Sequence, residues 1–308
     1  MRRNQTGNVT GPGGLRPKTP TGIEGFDEIT HGGLPTGRTT LVMGEPGAGK
    51  TLFALQALAS IAREQGEAGI FVAFEERVDD ILANAAGFGW EADALRAAGR
   101  LVFIDAHVPP DVIRTGDFDF NGLLALLRAK CDELGARLVV FDALDVVLRH
   151  LNDRIAQRQE IYRLQAWLVD SEVTGLVTAS IEPGADAQPY SLMHSIADCV
   201  IQLTHRLVDR VLLRELRVLK YRGSAFLANE FPLVIGPQGL EVAAVAVSVD
   251  DYPVSTERVS SGIKRLDDML GGGYLRGSSI LITGAPGTAV RPAGTAVPRA
   301  QQRVEVLG

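Results

Sequence analysis

The sequence has little of what marks a secreted, membrane-spanning or nucleic-acid-coating protein. Its 308 residues include only two cysteines, Cys131 and Cys199, which favours a reducing compartment over a disulfide framework. No apolar run reaches the roughly 18 residues of a membrane span, and the N-terminus lacks the apolar core of a signal peptide. The net charge of −6 provides no broad positive surface. We therefore expect a cytoplasmic protein with no membrane contact and no general affinity for nucleic acid.

The composition is that of a globular protein, at 45% hydrophobic and 22% charged residues, and the length allows one large or two modest domains. Residues 1–18 are rich in Gly, Arg, Pro and Asn and are predicted to form a disordered leader. Residues 243–257 mix Ala, Val, Asp and Pro and are predicted to be a linker. The predicted main domain therefore occupies residues 19–242.

A glycine-rich loop lies between a short apolar strand and an apolar helix. Thr39 to Met43 are predicted as the strand, and the helix is predicted from Thr51 onward. Between them the sequence fits G-x-x-x-x-G-K-[ST], whose glycines let backbone N–H groups surround a phosphate at a helix N-terminus. Lys50 is predicted to neutralise the β- and γ-phosphates, and the Thr51 hydroxyl to hold Mg²⁺. The predicted loop comprises Gly44, Glu45, Pro46, Gly47, Ala48, Gly49, Lys50, Thr51 and Leu52.

Apolar strands then alternate with helical patterns, which predicts an α/β fold with a mainly parallel sheet covered on both faces. The predicted strands are Gly69 to Phe74, Leu101 to Asp105, Leu138 to Phe141 and Leu176 to Ala179. After residue 198 the helical patterns stop. An antiparallel extension of the sheet is predicted there, with strands at Cys199 to Leu203, Val211 to Leu219 and Phe231 to Ile235.

Three carboxylates follow predicted strands. Glu75 and Glu76 come after the strand that begins at Gly69, and Asp142 comes directly after Phe141. Ligands of open parallel sheets bind at the carboxyl edge of the strands. One of the two glutamates is therefore a candidate to orient or deprotonate a water at the γ-phosphate, and Asp142 is a candidate magnesium ligand. The alternative for the glutamates is an ordinary acidic helix start.

Two cations end the second antiparallel strand. The two-residue period of a strand places Lys220 and Arg222 on the same side, just before Gly223. They are either surface cations or a source of positive charge for the nucleotide of a neighbouring subunit, where a cation in trans stabilises the transferred phosphoryl group. The residues alone leave both interpretations open.

Part of the chain is repeated. Residues 261–288 match residues 21–48 without a gap, and Gly284 corresponds to Gly44 at an offset of 240 residues, which indicates two tandem homologous domains. The second copy carries Ala-Val-Arg at 289–291, where a phosphate loop needs Gly-Lys-Thr or Gly-Lys-Ser. We expect residues 258–308 to be the truncated or frameshifted start of a second domain with a non-homologous tail. The alternative is a naturally short protein whose tail has degenerated.

These motifs resemble the first domain of KaiC, the cyanobacterial circadian clock ATPase, and its wider bacterial relatives in the RecA-like group. The resemblance covers roughly residues 20–288 and rests on the stretch from Thr21 to Arg38, the glycine loop, the Glu-Glu pair, Asp142 and the Lys-Tyr-Arg-Gly run at 220–223. It implies a RecA-like fold and a homohexameric ring that binds ATP and Mg²⁺ between subunits.

The resemblance also implies roles for individual residues. Glu75 and Glu76 would activate the attacking water, while Lys220 and Arg222 would reach the nucleotide of the adjacent protomer. A clock or signalling protein is the implied partner. The family's serine/threonine autokinase activity belongs to its second domain, which breaks off here after Thr288, so the resemblance does not extend that activity to this chain.

Two other functions compete with this one. A RadA- or RecA-like ATPase of DNA recombination would need basic loops, whereas the loop at 108–119 carries one Arg and three Asp. A non-catalytic ATP-binding remnant would be favoured by exposed apolar surface around the broken second domain.

Overall fold

The computed structural model describes residues 17–107, 120–151, 154–181, 188–243, 255–278 and 280. The chain divides into two compact units, Met1–Val245 and Ala246–Gly308. The loop predicted at 108–119 and the tail after 280 lie outside the described residues.

The first unit begins with a small strand–helix–strand motif. It comprises β1 (Lys18–Thr19), α1 (Phe26–Ile29) and β2 (Leu34–Pro35), and β1 pairs antiparallel with β2. The carboxylate of Asp27 holds the motif together, since it accepts hydrogen bonds from the Thr21 N–H and hydroxyl at 3.0 and 2.8 Å and from the Gly22 N–H at 3.0 Å. Lys18, the last residue of the predicted leader, thus belongs to a strand, and residues 1–16 of that leader lie outside the described residues.

Strands and helices then alternate through the body of the unit. The strands are β3 (Thr39–Gly44), β4 (Gly69–Ala73), β5 (Leu101–Asp105), β6 (Leu138–Asp142) and β7 (Thr174–Ser180). The helices are α2 (Lys50–Ser60, continued by a π-helical turn Ile61–Gln65), α3 (Val78–Ala85), α4 (Ala92–Ala97), α5 (Phe120–Leu134), α6 (Leu144–His150), α7 (Arg154–Ser171) and α8 (Gln188–Ile196). A 3₁₀ turn, Ala86–Phe88, follows α3.

Four more strands complete the unit: β8 (Cys199–Val208), β9 (Val211–Tyr221), β10 (Glu230–Gly236) and β11 (Gly239–Val242). In the described part of the chain the sheet has nine strands in the order β11-β10-β9-β8-β3-β7-β6-β4-β5. Pairing is parallel from β8 to β5 and antiparallel from β8 to β11. The predicted antiparallel extension is thus confirmed.

Hydrophobic side chains cover the sheet on both faces. On one face α1, α2 and α3 pack through residues such as Phe26, Phe53 and Ile81, and the rings of Phe26 and Phe53 meet edge-on with centroids 5.1 Å apart. On the other face α5 and α7 contribute Leu127 and Leu164. A mixed, mostly parallel sheet between two helical layers is the RecA-like α/β fold, which confirms the expected fold class.

The second unit repeats the opening motif of the first. It comprises β12 (Arg258–Val259), α9 (Lys264–Met269) and β13 (Tyr274–Leu275), with β12 antiparallel to β13. Asp267 accepts the Ser261 N–H at 2.7 Å, as Asp27 accepts that of Thr21. The repeated sequence therefore encodes the same local structure twice. That residues 258–308 belong to the start of a second domain stays a prediction.

Candidate nucleotide-binding site

The glycine loop lies at the carboxyl edge of the sheet, between β3 and α2. Its glycines are required by the backbone. A Cβ on Gly44 would stand 2.2 Å from the Leu203 carbonyl oxygen of β8, and Gly47 and Gly49 have φ of 79° and 105°. A side chain at these positions would clash or strain the chain. The helix begins at Lys50, one residue earlier than predicted, so the unpaired N–H groups of its first turn face the loop.

Lys50 is folded over the loop that precedes it. Its side chain is buried, and its Nζ donates a hydrogen bond to the Glu45 carbonyl oxygen at 3.0 Å. Burial lowers the pKa of the Lys50 ammonium, while the charges of Asp145, Asp142 and Glu75 raise it. The bond to Glu45 uses one of the three N–H donors of the ammonium, so the others can bind a phosphate at the same place.

A hydroxyl and a carboxylate meet beside Lys50. Asp142, at the end of β6, is 3% exposed and accepts hydrogen bonds from the Thr51 hydroxyl, 3.2 Å from Oδ1 and 3.1 Å from Oδ2. Burial raises the pKa of Asp142 to about 6, against the opposing effects of hydrogen bonds from Thr178 and Thr51 and of the Lys50 charge. The structure therefore brings the two predicted metal-site residues together.

Two further polar residues support this edge, and neither was predicted from the sequence. The Thr178 hydroxyl on β7 donates to Asp142 Oδ1 at 2.7 Å. Asp145, in the first turn of α6, is 2% exposed, accepts the Ser180 N–H at 3.0 Å and forms an ion pair with Arg149. Asp145 was detectable as an acid three residues after Asp142. Thr178 carried no sequence signal, because its role depends on which strand lies beside β6.

The two glutamates after β4 differ in their surroundings. β4 is separated from β3 by β7 and β6, yet its end lies at the same edge of the sheet. Glu75 is exposed, whereas Glu76 is partly buried and accepts a hydrogen bond from Asn84 Nδ2 at 2.9 Å. Partial burial raises the pKa of the Glu76 carboxyl, and the neighbouring Asp80 charge adds to this.

A cavity of about 260 Å³ opens beside the loop. Its polar lining is Lys50, Thr51, Glu76 and Asn84, together with the backbone of Gly47 and Gly49, and its apolar lining is Leu52, Leu55, Ile81, Ala85 and Ile235. One part can accept an anion and the other a flat apolar ring, which is the chemistry of a nucleotide pocket.

Lys220 and Arg222 lie away from this cavity. Lys220 on β9 pairs with Val200 on β8. The residue before Val200, Cys199, pairs with Thr40 at the start of β3. The loop follows the other end of β3, about 13 Å away at the usual rise of a strand. Both cations hydrogen-bond the end of α8, since Lys220 Nζ is 2.8 Å from the His194 carbonyl oxygen and Arg222 is 2.8 Å from that of Ser195.

Among the described residues, no helix is both long and apolar enough to cross a bilayer.

The fold and this site define a P-loop nucleotide-binding protein of the RecA-like class. A family model described as "ATPase: KaiC" matches residues 19–246. The circadian clock protein KaiC2 of Synechocystis sp. is 40% identical over 273 residues, which cover 88% of this chain and 48% of that protein. The circadian clock oscillator protein KaiC of Parathermosynechococcus lividus is 38% identical over 275 residues, 88% of this chain and 51% of that protein. The chain belongs to the KaiC ATPase family, and it spans about half the length of these curated relatives.

Proposed function

We propose that this chain is a Mg²⁺-dependent ATPase that assembles into a homohexameric ring in the cytoplasm, with ATP between subunits. Hydrolysis would switch the ring's conformation for a clock or signalling protein. The observation that carries the proposal is the meeting of the Thr51 hydroxyl and the buried Asp142 carboxylate, 3.1 Å apart, beside the Lys50 ammonium and the glycine loop.

The residues at this edge fit a magnesium ion. A hydroxyl and a carboxylate are oxygen donors of the kind Mg²⁺ prefers, and Mg²⁺ retains several waters instead of requiring a full protein cage. Accordingly, within the described ranges no group of three or more His, Cys, Asp or Glu side chains is arranged to hold a metal by itself. Thr51 and Asp142 would hold the ion, which when bound neutralises charge on the phosphate oxygens.

Glu76 is the better placed of the two glutamates to activate water. Glu76 lines the cavity, and the hydrogen bond from Asn84 orients its carboxylate. The pKa of Glu76 is raised, which brings it closer to the pKa of an effective base at neutral pH. Glu75 does not line the cavity, and its charge raises the pKa of Lys50. Glu76→Gln is therefore expected to reduce phosphate release by at least about a hundredfold with ATP binding retained, and Glu75→Gln by less.

The position of Lys220 and Arg222 supports a role in trans. Because they lie at the amino edge of β3, they cannot reach the nucleotide held by their own chain without unfolding β9. A head-to-tail contact, in which the amino edge of one subunit meets the carboxyl edge of the next, would bring them to a neighbour's phosphates. Heterologous contacts of this kind generate a ring when the rotation between subunits closes.

Binding of ATP is tested with Lys50→Ala. Removal of the ammonium is expected to weaken ATP binding at least tenfold, which is about the value of one charged hydrogen bond. Calorimetry measures the affinity, and light scattering with and without ATP and Mg²⁺ measures the mass of the assembly. Unchanged affinity in a folded Lys50→Ala protein would contradict the site assignment.

Action in trans is tested by mixing two inactive variants. Glu75→Gln/Glu76→Gln supplies intact cations, and Lys220→Ala/Arg222→Ala supplies intact glutamates. Random mixing in equal amounts leaves about a quarter of head-to-tail interfaces with both intact halves, so phosphate release should return to about a quarter of the wild-type rate. If the cations act within their own chain, mixing restores nothing.

A further inference from the structure

We infer that Thr178 is a positioning residue for the metal site, holding the Asp142 carboxylate in the orientation that faces Thr51. This inference rests on the proposed Mg²⁺ role of Asp142. Thr178 lies on β7, between β3 and β6 in the sheet, and is 1% exposed. Its side chain therefore has no contact with solvent, and its hydroxyl interacts only with the protein around it.

The direction of the Thr178 hydroxyl proton follows from its two neighbours. The hydroxyl oxygen is 2.7 Å from the Ala143 backbone nitrogen, whose N–H can only donate, so the oxygen accepts there. A hydroxyl has one proton, and the remaining partner at 2.7 Å is Asp142 Oδ1. The proton thus points at the carboxylate.

The same hydroxyl stabilises an unusual backbone turn directly after Asp142. Ala143 has φ of 60°, in the left-handed region that side chains other than glycine rarely adopt. Its N–H bond to Thr178 fixes the orientation of the peptide group that joins Asp142 to Ala143. Thr178 therefore constrains Asp142 twice, at the carboxylate and at the backbone behind it.

The Thr178 hydrogen bond engages one oxygen of the carboxylate and leaves the other for the metal. Oδ1 receives the 2.7 Å bond from Thr178, while the Thr51 hydroxyl is almost equally distant from Oδ1 and Oδ2, at 3.2 and 3.1 Å. A buried carboxylate without the Thr178 bond could rotate about its Cβ–Cγ bond. Residues that orient metal ligands in this way change metal affinity by about 10- to 100-fold when they are mutated.

The experiment uses Thr178→Val, which keeps the shape of the side chain and removes the hydroxyl, and Thr178→Ser, which restores it. Thr174→Val is the matched control. Thr174 is also buried on β7, and its hydroxyl accepts a hydrogen bond from the Gly37 N–H at 3.0 Å. It lies four residues before Thr178, about 13 Å from the site. Mn²⁺ binding is measured by electron paramagnetic resonance with a non-hydrolysable ATP analogue, so no turnover is needed.

Thr178→Val is expected to weaken Mn²⁺ binding at least about tenfold. Thr178→Ser and Thr174→Val should stay within twofold of wild type, and analogue binding in EDTA should be unchanged in all three. Equal Mn²⁺ affinity in folded Thr178→Val and wild-type protein overturns this inference alone, as does an equal loss in Thr174→Val. A wild-type chain that binds no analogue overturns the proposed function as well.

Discussion

Replacing Asp142 by asparagine should make the protein more stable while it removes the metal ligand. Burial raises the pKa of this carboxyl from 3.8 to about 6, which means that the fold opposes its ionisation. One pKa unit corresponds to about 1.4 kcal/mol, so an ionised Asp142 costs about 3 kcal/mol of folding free energy. Asparagine carries no charge and keeps an oxygen that can accept the Thr178 hydrogen bond.

The sign of the pH dependence follows from the raised pKa. The penalty is absent below about pH 4, where the carboxyl is protonated in both states, and is complete above about pH 6, where it is ionised in both. The free energy of unfolding of Asp142→Asn should therefore exceed that of wild type by about 3 kcal/mol at pH 8 and by about half of that at pH 5. Urea unfolding followed by circular dichroism, in EDTA, measures both values.

Asp145→Asn is the control for this prediction. Asp145 is also buried, but it is paired with Arg149 and bonded to the Ser180 N–H, so loss of its charge should destabilise the fold by about 1–3 kcal/mol. An Asp142→Asn protein that is less stable than wild type at pH 8 would refute the reasoning. A gain that does not change between pH 5 and pH 8 would do so too.

Three further outcomes follow from the first unit. Gly25→Ala places a Cβ 1.9 Å from the last carbonyl oxygen of β11 and should lower the free energy of unfolding by at least about 3 kcal/mol. Gly66→Ala has a similar positive φ but open space around the new Cβ, so it should lower that free energy by about 1 kcal/mol, as measured by urea unfolding. Tyr221→Phe loses the 2.9 Å hydrogen bond to the Gly33 carbonyl oxygen and should cost about 1 kcal/mol in the same assay. Burial raises the pKa of the Cys199 thiol to about 12, so DTNB should label it only after unfolding.

The parts of the fold that depend on local sequence were predictable. The glycine loop and its flanking strand and helix lie within residues 39–60, so the phosphate-loop pattern is contained in one continuous stretch of sequence. Asp142 was found because an acid after a buried strand is placed by the strand itself. The register of Lys220 and Arg222 was also predictable, since both side chains reach the end of α8 as the two-residue period requires.

The rest depended on strand order, which local patterns do not specify. The sequence does not indicate that β7 and β6 separate β4 from β3, although this arrangement fixes the distance between the glutamates and the loop. Thr178 and Asp142 are 36 residues apart and meet only because β6 and β7 are neighbours. Since a threonine in an apolar strand usually serves packing alone, no sequence pattern marks Thr178 as part of the site.

The charges at the cavity support the proposed assembly into a ring. Among the described residues that line the cavity, Lys50 is the only cation. The negative charges of Asp142, Asp145 and Glu75 already stabilise its ammonium. ATP would bring several negative charges, more than the Lys50 ammonium and the nearby Arg149 guanidinium, which is paired with Asp145, can balance in a partly buried cavity. In the proposed assembly, further positive charge would come from Mg²⁺ and from the neighbouring subunit. Lys220 and Arg222 lie at the opposite edge of the sheet, where head-to-tail packing would deliver them, so we expect binding of ATP and assembly of the ring to be coupled.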